Sequence, residues 1–469
     1  MKKSSSTSRS RRQFLGEASC ATVGSVSMMS ALLNLRMTGN LAAASDSPVG
    51  DDYKALVCVF LAGGNDSFNM LAPVDATGYA EYEAARGGVA LPVEDFTSLG
   101  TSLPLPDGRN LGLHSTMSEL HGLYTAGKAA FVSNVGTLIE PTTLATIDSG
   151  NVKLPLGLFS HSDQQKHWQS GLPQERSALN GWGGKMSDCL NDLNSDDIVS
   201  MNVSLAGYNL FQTHGSLSIF SRSSAGLPGL VDWDKPSYLS RRTSMETMLE
   251  AEYHSIFQRT QAALKKNAIE AIAAYKEALQ LQGPLQTTFD SANPLSVQLK
   301  AVAETIAARE DLGKRRQTFF VQIGGWDHHT GLDKHPAMMA TVSQAIGEFQ
   351  TAMVELGVED QVTTFSASDF GRTLSPNGSG TDHGWGGNQF VVGGAVDGGK
   401  IYGEYPELAL GNILDTGRGR LIPTTSVDEY AADLALWMGV SPSDLHLVLP
   451  NLDRFHDVVV DGVALGLML

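Results

Sequence analysis

The stretch that decides the fold is ALVCVFL at residues 55–61, which is followed by GGNDS at residues 63–67. Seven consecutive apolar residues predict a strand that is buried on both faces, as strands of parallel sheets are. The two glycines predict a sharp turn, and a carboxylate follows it at once. Because open α/β sheets bind ligands at the carboxyl ends of their strands, Asp66 is the first candidate site residue.

Working outward from this stretch, strands and helices alternate along the chain. Other apolar runs predict strands at residues 129–135, 197–205, 318–323, 362–365 and 390–392. Helical spacing of apolar residues predicts helices over 115–126, 245–281 and 295–306, one that starts with Pro336, and one that follows the capping box of Ser426 and Glu429. The alternation predicts an α/β layered sheet.

Composition and charge narrow the classes of function. The chain has 469 residues, 42% of them hydrophobic, and a formal net charge of −17. This composition is that of a globular protein, and the acidity argues against a nucleic-acid partner, since phosphate binding needs a basic face. Three cysteines are too few for a disulfide framework or a cysteine-rich zinc module.

The N-terminal segment reads as an export signal. SRRQFLG at residues 10–16 has the pattern of a twin-arginine signal, and a weakly apolar stretch then leads to AAA at residues 42–44. We therefore predict a signal peptide over 1–44, the twin-arginine translocase as the partner during export, and a periplasmic or extracellular protein. The apolar stretch is too polar for a stable membrane anchor, and a plain basic arm is the alternative.

Three further polar clusters follow predicted strands. They are FSHSD at residues 159–163, GGWDHH at 324–329, and SDFGRT at 368–373 with GTDHGWGG at 380–387. Ser160 opens a predicted helix, where a serine is either a helix cap or an exposed nucleophile. Arg372 is either an anion clamp or a structural arginine that holds its loop.

The carboxylates and histidines of these clusters predict a metal site. Asp327 with His328 and His329, then Asp369 and His383, and finally Asp66 offer oxygen and nitrogen ligands for one or two divalent ions. This mixture favours zinc, with manganese or magnesium as the alternatives. Neighbouring side chains on an extended segment face opposite sides, so we expect His329 at the metal and His328 directed away.

Taken together, these motifs resemble the domain-of-unknown-function 1501 family, whose members typically carry twin-arginine signals and are grouped with the alkaline phosphatase–sulfatase superfamily. The resemblance extends from about Ala55 to beyond Leu434. It implies an alkaline-phosphatase-like α/β/α sandwich with a mostly parallel central sheet. It also implies one domain over 45–469, in which we interpret the segments near 88–112 and 215–236 as insertions.

The order of site residues in the superfamily can be matched to residues of this chain. The resemblance implies metal ligands at Asp66, Asp327, His329, Asp369 and His383, and a nucleophile at Ser160. Phe370 stands where a ligand histidine is expected, and His161 is the residue that would compensate for it. No Cys-x-Pro-x-Arg signature surrounds Ser160, which argues against a formylglycine sulfatase.

These observations favour a metal-dependent hydrolase of a phosphate or sulfate ester, carried by a small molecule or a glycan. In that reading Ser160, His161 and Arg372 are catalytic, and the insertions set specificity. A non-catalytic envelope or polysaccharide-binding relative with a degraded metal site is the main alternative, favoured by Phe370. A metal-dependent phosphomutase or phosphoglycan transferase is a weaker one.

Overall fold

Strand β1 (Lys54–Ala62) lies within the main sheet and is buried on both faces, as the run at 55–61 predicts. The structure is a computed structural model that describes residues 53–100, 108–215, 217–224, 226, 229, 233 and 235–469. Residues Tyr53–Leu469 form one compact unit. The predicted signal peptide over 1–44 lies outside the described residues.

The described strands fall into one large sheet and two small ones. In chain order after β1 they are β2 (Leu71–Pro73), β3 (Phe96–Ser98), β4 (Leu111–His114), β5 (Ala129–Gly136), β6 (Asn202–Ser204), β7 (Phe220–Ser221), β8 (Arg316–Gly324), β9 (Val362–Ser368), β10 (Arg372–Pro376), β11 (Thr381–His383), β12 (Gly387–Val392), β13 (Ile401–Tyr402) and β14 (Thr425–Ser426). The large sheet has the order β13-β5-β12-β9-β1-β8-β6-β7, with β14 also paired to β5. β10 pairs with β11, and β4 lies between β2 and β3.

The large sheet is mostly parallel, as expected. Strand β1 runs parallel to both β8 and β9, and among the described strands of this sheet β12 alone runs antiparallel to its neighbours. The register places Ala62 opposite Gly324 and Leu61 opposite Ser368. The carboxyl ends of β1, β8 and β9 therefore lie side by side, which brings the loops that follow them together.

Helices cover both faces of the large sheet. They are α1 (Ala76–Arg86), α2 (Ser118–Thr125), α3 (Leu144–Asp148), α4 (His161–Ser170), α5 (Trp182–Leu190), α6 (Leu239–Glu250), α7 (Ile256–Leu281), α8 (Pro294–Ala307), α9 (His335–Glu355), α10 (Val427–Met438), α11 (Leu445–Val448) and α12 (Val458–Asp461). Val57 and Val59 of β1 pack with α8 and α9, whereas Cys58 and Phe60 pack with α5 and α10. The fold is thus a three-layer α/β/α sandwich, which confirms the expected fold class.

Two expectations about elements need correction. The helix expected over 245–281 is two helices, α6 and α7, because Ala251 and Ser255 adopt extended backbone and α6 buries no residue that would hold a continuous rod in place. The strand expected over 197–205 is reduced to β6. The segment near 88–112 contributes β3 and the start of β4 to a separate small sheet, and its interpretation as an insertion stays a prediction.

Searched over the described residues, no helix is long and apolar enough to cross a bilayer.

Candidate metal centre

The site is built where the loops after β1, β8 and β9 meet. Gly63 has φ of +124°, and a Cβ there would lie 2.5 Å from the backbone nitrogen of Asp327, so only glycine permits this approach of the two loops. Gly64 has φ of +82°, and its Cβ would lie 2.6 Å from the Phe370 ring. The two glycines that predict a turn therefore also let the site loops pack against one another.

Asp327 lies at the centre of a cluster with three imidazoles. Its Oδ2 lies 3.3 Å from His161 Nε2, and its Oδ1 lies 3.2 Å from His329 Nε2 and 3.4 Å from His383 Nε2. The two nitrogens His329 Nε2 and His383 Nε2 are 2.8 Å apart. Ligand atoms of His161, Asp327 and His383 lie within 4.8 Å of one another, a spacing at which one metal ion can bind all three.

Each of these imidazoles is held through its other nitrogen. His161 Nδ1 lies 2.6 Å from Asp369 Oδ2, and His383 Nδ1 lies 2.7 Å from the Phe159 carbonyl oxygen. His329 Nδ1 lies 3.0 Å from Asp382 Oδ1. Since a carbonyl and carboxylates only accept hydrogen bonds, these partners assign the proton to Nδ1 and leave the Nε2 lone pairs facing the cluster.

This donor set fits a divalent cation. Unprotonated nitrogens that face one another at hydrogen-bond distance repel unless a proton or a cation lies between them. Histidine ligands of metals almost always donate their second N–H to a carboxylate or carbonyl, as all three do here. His161, His383 and Asp327 offer two imidazoles and a carboxylate, which is typical zinc chemistry, and His329 beside His383 can supply a fourth ligand.

Electrostatics keep the cluster ready to bind a cation. Partial burial alone would raise the pKa of Asp327, but the hydrogen bond and charge of Arg372 hold it below its ordinary value. Partial burial lowers the pKa of His383. Hydrogen bonding to Asp369 raises the pKa of His161, so at this one ligand a cation must compete with a proton. Burial opposes ionisation of Asp382, yet Asn377 and Arg418 lower its pKa to about 2.

Arg372 is buried and orients Asp327. Its Nη1 donates to Asp327 Oδ1 at 2.8 Å and its Nε to Thr381 Oγ1 at 3.3 Å, and it also bonds the Thr381 carbonyl. Its side chain has no exposed area. These contacts match the structural alternative for Arg372 more closely than the anion clamp.

Asp66 lies apart from the cluster. Its Oδ2 accepts from Arg86 Nη2 at 2.7 Å and from Thr381 Oγ1 at 3.0 Å, and both charged side chains are fully buried. Burial alone would raise the pKa of Asp66, but Arg86 and His335 keep it below its ordinary value. The structure thus brings Asp327, His329 and His383 together with His161, while Asp66 reaches Asp327 only through Thr381 and Arg372.

Asp369 and Ser160 flank the cluster. Asp369 is fully buried and accepts from the Gly63 backbone nitrogen at 3.1 Å and from Gln165 Nε2 at 3.0 Å, besides its bond to His161. Ser160 is the N-cap of α4, and its Oγ accepts from the Asp163 backbone nitrogen at 3.5 Å. Within the described residues, no hydrogen bond joins Ser160 to the cluster.

Phe370 and His328 complete the surroundings. The Phe370 ring lies 4.8 Å from the His161 ring and 4.6 Å from the His383 ring, measured between centroids, and so supports both imidazoles. His328 is buried, and its ring lies 5.7 Å from that of His335; that His329 rather than His328 binds a metal stays a prediction.

Sequence reasoning missed three contributors to this site. Asp382 precedes His383 in the quoted GTDHG motif, and that adjacency was an available signal. The sequence contains no signal for the role of the Phe159 carbonyl. Arg420 donates from Nε to the His383 carbonyl at 3.0 Å, and its guanidinium lies 5.1 Å from the Phe159 ring centroid. Among the described residues no carboxylate pairs with it.

The model of the family described as "Protein of unknown function (DUF1501)" matches residues 53–417. No curated protein matches the sequence. The chain is similar to a solved sulfatase from Pseudoalteromonas sp., with 11% identity, TM-score 0.34, and 88% of this chain and 72% of that chain covered. For the lipoteichoic acid synthase LtaP from Listeria monocytogenes these values are 9%, 0.31, 79% and 74%. For a mutant of the alkaline phosphatase PafA they are 10%, 0.28, 70% and 64%. At such TM-scores these likenesses carry no conclusion about the site or its activity.

Proposed function

This chain belongs to the DUF1501 family, and we propose that it is an exported hydrolase of phosphate or sulfate esters that uses one zinc ion. The observation that carries the proposal is the convergence of three histidine Nε2 atoms on Asp327, with each Nδ1 already engaged. His161, Asp327, His329 and His383 would hold the ion, with manganese or magnesium as alternatives. A divalent ion there supplies Lewis-acid polarisation of an ester oxygen.

The protein's own residues orient the ligands and bind the substrate. Asp369 and Asp382 fix the ring positions of His161 and His329, and Arg372 fixes the Asp327 carboxylate. The Asp327 side chain is 42% exposed, so a substrate reaches it from solvent. Arg420, beside His383 and without a carboxylate partner among the described residues, is the guanidinium that we assign to the ester's anionic group.

Ser160 is the proposed nucleophile. It lies one residue before His161, at the N-terminus of α4, where the first-turn amides and the helix dipole favour negative charge on an oxygen. Its hydroxyl accepts a long hydrogen bond, 3.5 Å, from the Asp163 backbone nitrogen, and it lies 3.2 Å from the Ser162 hydroxyl. The hydroxyl is therefore weakly held in its capping role.

A metal and activity assay tests this proposal. The chain purified without chelators should contain about one zinc ion, as four ligands around one site imply, and should hydrolyse 4-nitrophenyl phosphate or sulfate. Ser160→Ala should abolish turnover, keep the zinc, and lose only ~1 kcal/mol of stability as a lost helix cap does. Full activity in that variant would remove Ser160 from the mechanism, and a metal-free wild type would overturn the proposal.

A second candidate function is supported by the surroundings of Asp66. Arg86 neutralises Asp66, and Phe370 fills the position where the resemblance implies a ligand. A relative that binds an anionic glycan without hydrolysing it would retain this arrangement. Zinc binding without turnover of any phosphate or sulfate ester in a broad panel would favour this alternative.

Export by the twin-arginine translocase is also proposed, on the strength of Arg11 and Arg12. Replacing both by lysine should leave the precursor in the cytoplasm, as detected by fractionation. Unchanged export of this variant would remove the translocase as a partner.

A further inference from the structure

A groove of about 320 Å³ lies beyond the metal centre, at the edge of the large sheet. Gly207 and Tyr208 follow β6, and Ser221 ends β7, the outermost strand on this side. The residues lining the groove are Gly207, Tyr208, Thr213, Leu217, Ser218, Ile219 and Ser221. This volume is in the range of small-ligand sites.

The lining presents an aromatic face with neutral hydroxyls. The Tyr208 side chain is 77% exposed, and Gly207 has φ of +75°, a turn that favours glycine and displays the tyrosine. The hydroxyls of Ser218 and Ser221 make no hydrogen bond within the described residues. Among the described residues none that lines the groove is charged, so the groove fits an uncharged ligand portion that has both an apolar face and hydroxyl groups.

One helix connects the groove to the metal centre. His161, Gln165 and Gln169 lie four residues apart and thus on one face of α4. His161 belongs to the metal cluster, and Gln165 bonds Asp369. Gln169 Oε1 accepts from the backbone nitrogens of Leu210 at 2.8 Å and Phe211 at 3.0 Å, which holds the loop that carries Tyr208.

The groove and the metal cluster share no lining residue, so a ligand that occupies both must be longer than either site. Helix α4 gives the scale: from His161 in the cluster to Gln169, which holds the Tyr208 loop, it rises by about 12 Å. A short oligosaccharide, rather than a single sugar ring, has a length of this order. We propose that the Tyr208 groove is a glycan subsite, which binds an uncharged sugar ring while an ester on another residue of the same oligosaccharide lies at the metal centre.

The part of this inference that places an ester at the metal centre rests on the proposed function. The inference narrows the substrate from any anionic ester to an oligosaccharide. It does not need turnover, because the groove would bind sugar in a non-catalytic relative as well. Binding and metal content must therefore be measured on the same samples.

The test is a microarray of sulfated, phosphorylated and neutral oligosaccharides, probed with the purified full-length chain with and without added zinc. We expect binding to sulfated or phosphorylated oligosaccharides and about tenfold weaker binding by Tyr208→Ala, the usual size of a lost aromatic contact. Ser218→Trp, which fills the groove, should weaken binding at least as much. Phe257→Ala, which removes an aromatic side chain that is 83% exposed on α7, is the matched control and should bind like wild type.

The outcomes separate this inference from the proposed function. If no oligosaccharide binds, or if Tyr208→Ala and Ser218→Trp bind like wild type, the subsite is wrong, whatever the metal content. If glycans bind through Tyr208 but no sample contains or takes up zinc, the subsite stands and the hydrolase proposal fails.

Discussion

Two carboxylates follow the same residue pattern at the ends of neighbouring strands, yet they lie in opposite surroundings. The sequence is GGND at residues 63–66 after β1 and GGWD at residues 324–327 at the end of β8. Asp66 is fully buried against Arg86, whereas the Asp327 side chain is 42% exposed among three imidazoles. The pattern places a carboxylate at the sheet edge, and residues from elsewhere in the chain decide what it does there.

The partners explain this difference. Arg86 comes from α1, which packs beside the β1 loop, and it cancels the Asp66 charge in a region without water contact. The three histidines around Asp327 come from the start of α4, from the loop after β8 and from β11. Together they leave an opening that faces solvent. A cation is therefore expected at Asp327, while Asp66 already has one in Arg86.

The largest expected effect is on metal binding. Asp327→Asn should lower zinc affinity more than 100-fold, because loss of even an outer partner of a ligand typically costs 10–100-fold. Competition with a fluorescent zinc chelator measures this change. Asp66→Asn is the matched control and should keep zinc affinity near that of wild type; equal losses in the two variants would erase the distinction between the two carboxylates.

For the free energy of unfolding we expect the opposite order, with the larger loss at Asp66. Asp66→Asn leaves the Arg86 guanidinium buried without its charge partner and should lower the free energy of unfolding by about 3–5 kcal/mol. Urea denaturation of the metal-free proteins measures it. Asp327→Asn removes a carboxylate that is 42% exposed, and the buried Arg372 keeps its bond to the Thr381 carbonyl, so the loss should be smaller than that of Asp66→Asn. A stable Asp66→Asn variant would contradict the structural role of the buried pair.

Asp369 is intermediate between Asp66 and Asp327. It is buried like Asp66 but serves the metal centre through its bond to His161. Asp369→Asn should lower zinc affinity about 10–100-fold and should leave the metal bound at saturating zinc. If affinity is unchanged, His161 is not a ligand whose orientation matters.

Strand β1 could be predicted because a local run of apolar residues indicates burial on both faces. The convergence of Asp327, His329 and His383 could be predicted, because Asp327 and His329 follow β8 and His383 lies in a glycine-rich segment close behind β9, and β8 and β9 end at the same edge. Their role as ligands stays a prediction. The pairing of Asp66 with Arg86 could not be predicted, since no local pattern joins residue 86 to residue 66. His161 was identified beside Ser160, but its place among the ligands depends on how α4 packs against β9.

Asp428 in α10 is a third buried carboxylate, and we expect it to have a small effect on the pH dependence of stability. Within the part of the chain that the structure describes no guanidinium pairs with it, and burial raises its pKa to about 7. The folded state therefore holds a proton that the unfolded state has released between about pH 4 and pH 7, so stability falls as pH rises through this window.

Asp428→Asn keeps the shape of the side chain and removes the titration. The melting temperature of the variant should fall by roughly 2 °C less than that of wild type between pH 5 and pH 8. Parallel pH curves for the two proteins would show that Asp428 does not hold this proton.

The central claim is that one cation binds at His161, Asp327, His329 and His383. Anomalous X-ray diffraction at the zinc edge, on crystals grown with zinc, tests it most directly. The account predicts a single strong peak at ~2.0–2.2 Å from the three Nε2 atoms and an Asp327 oxygen. A peak at Asp66, or no peak within bonding distance of these four side chains, would contradict it.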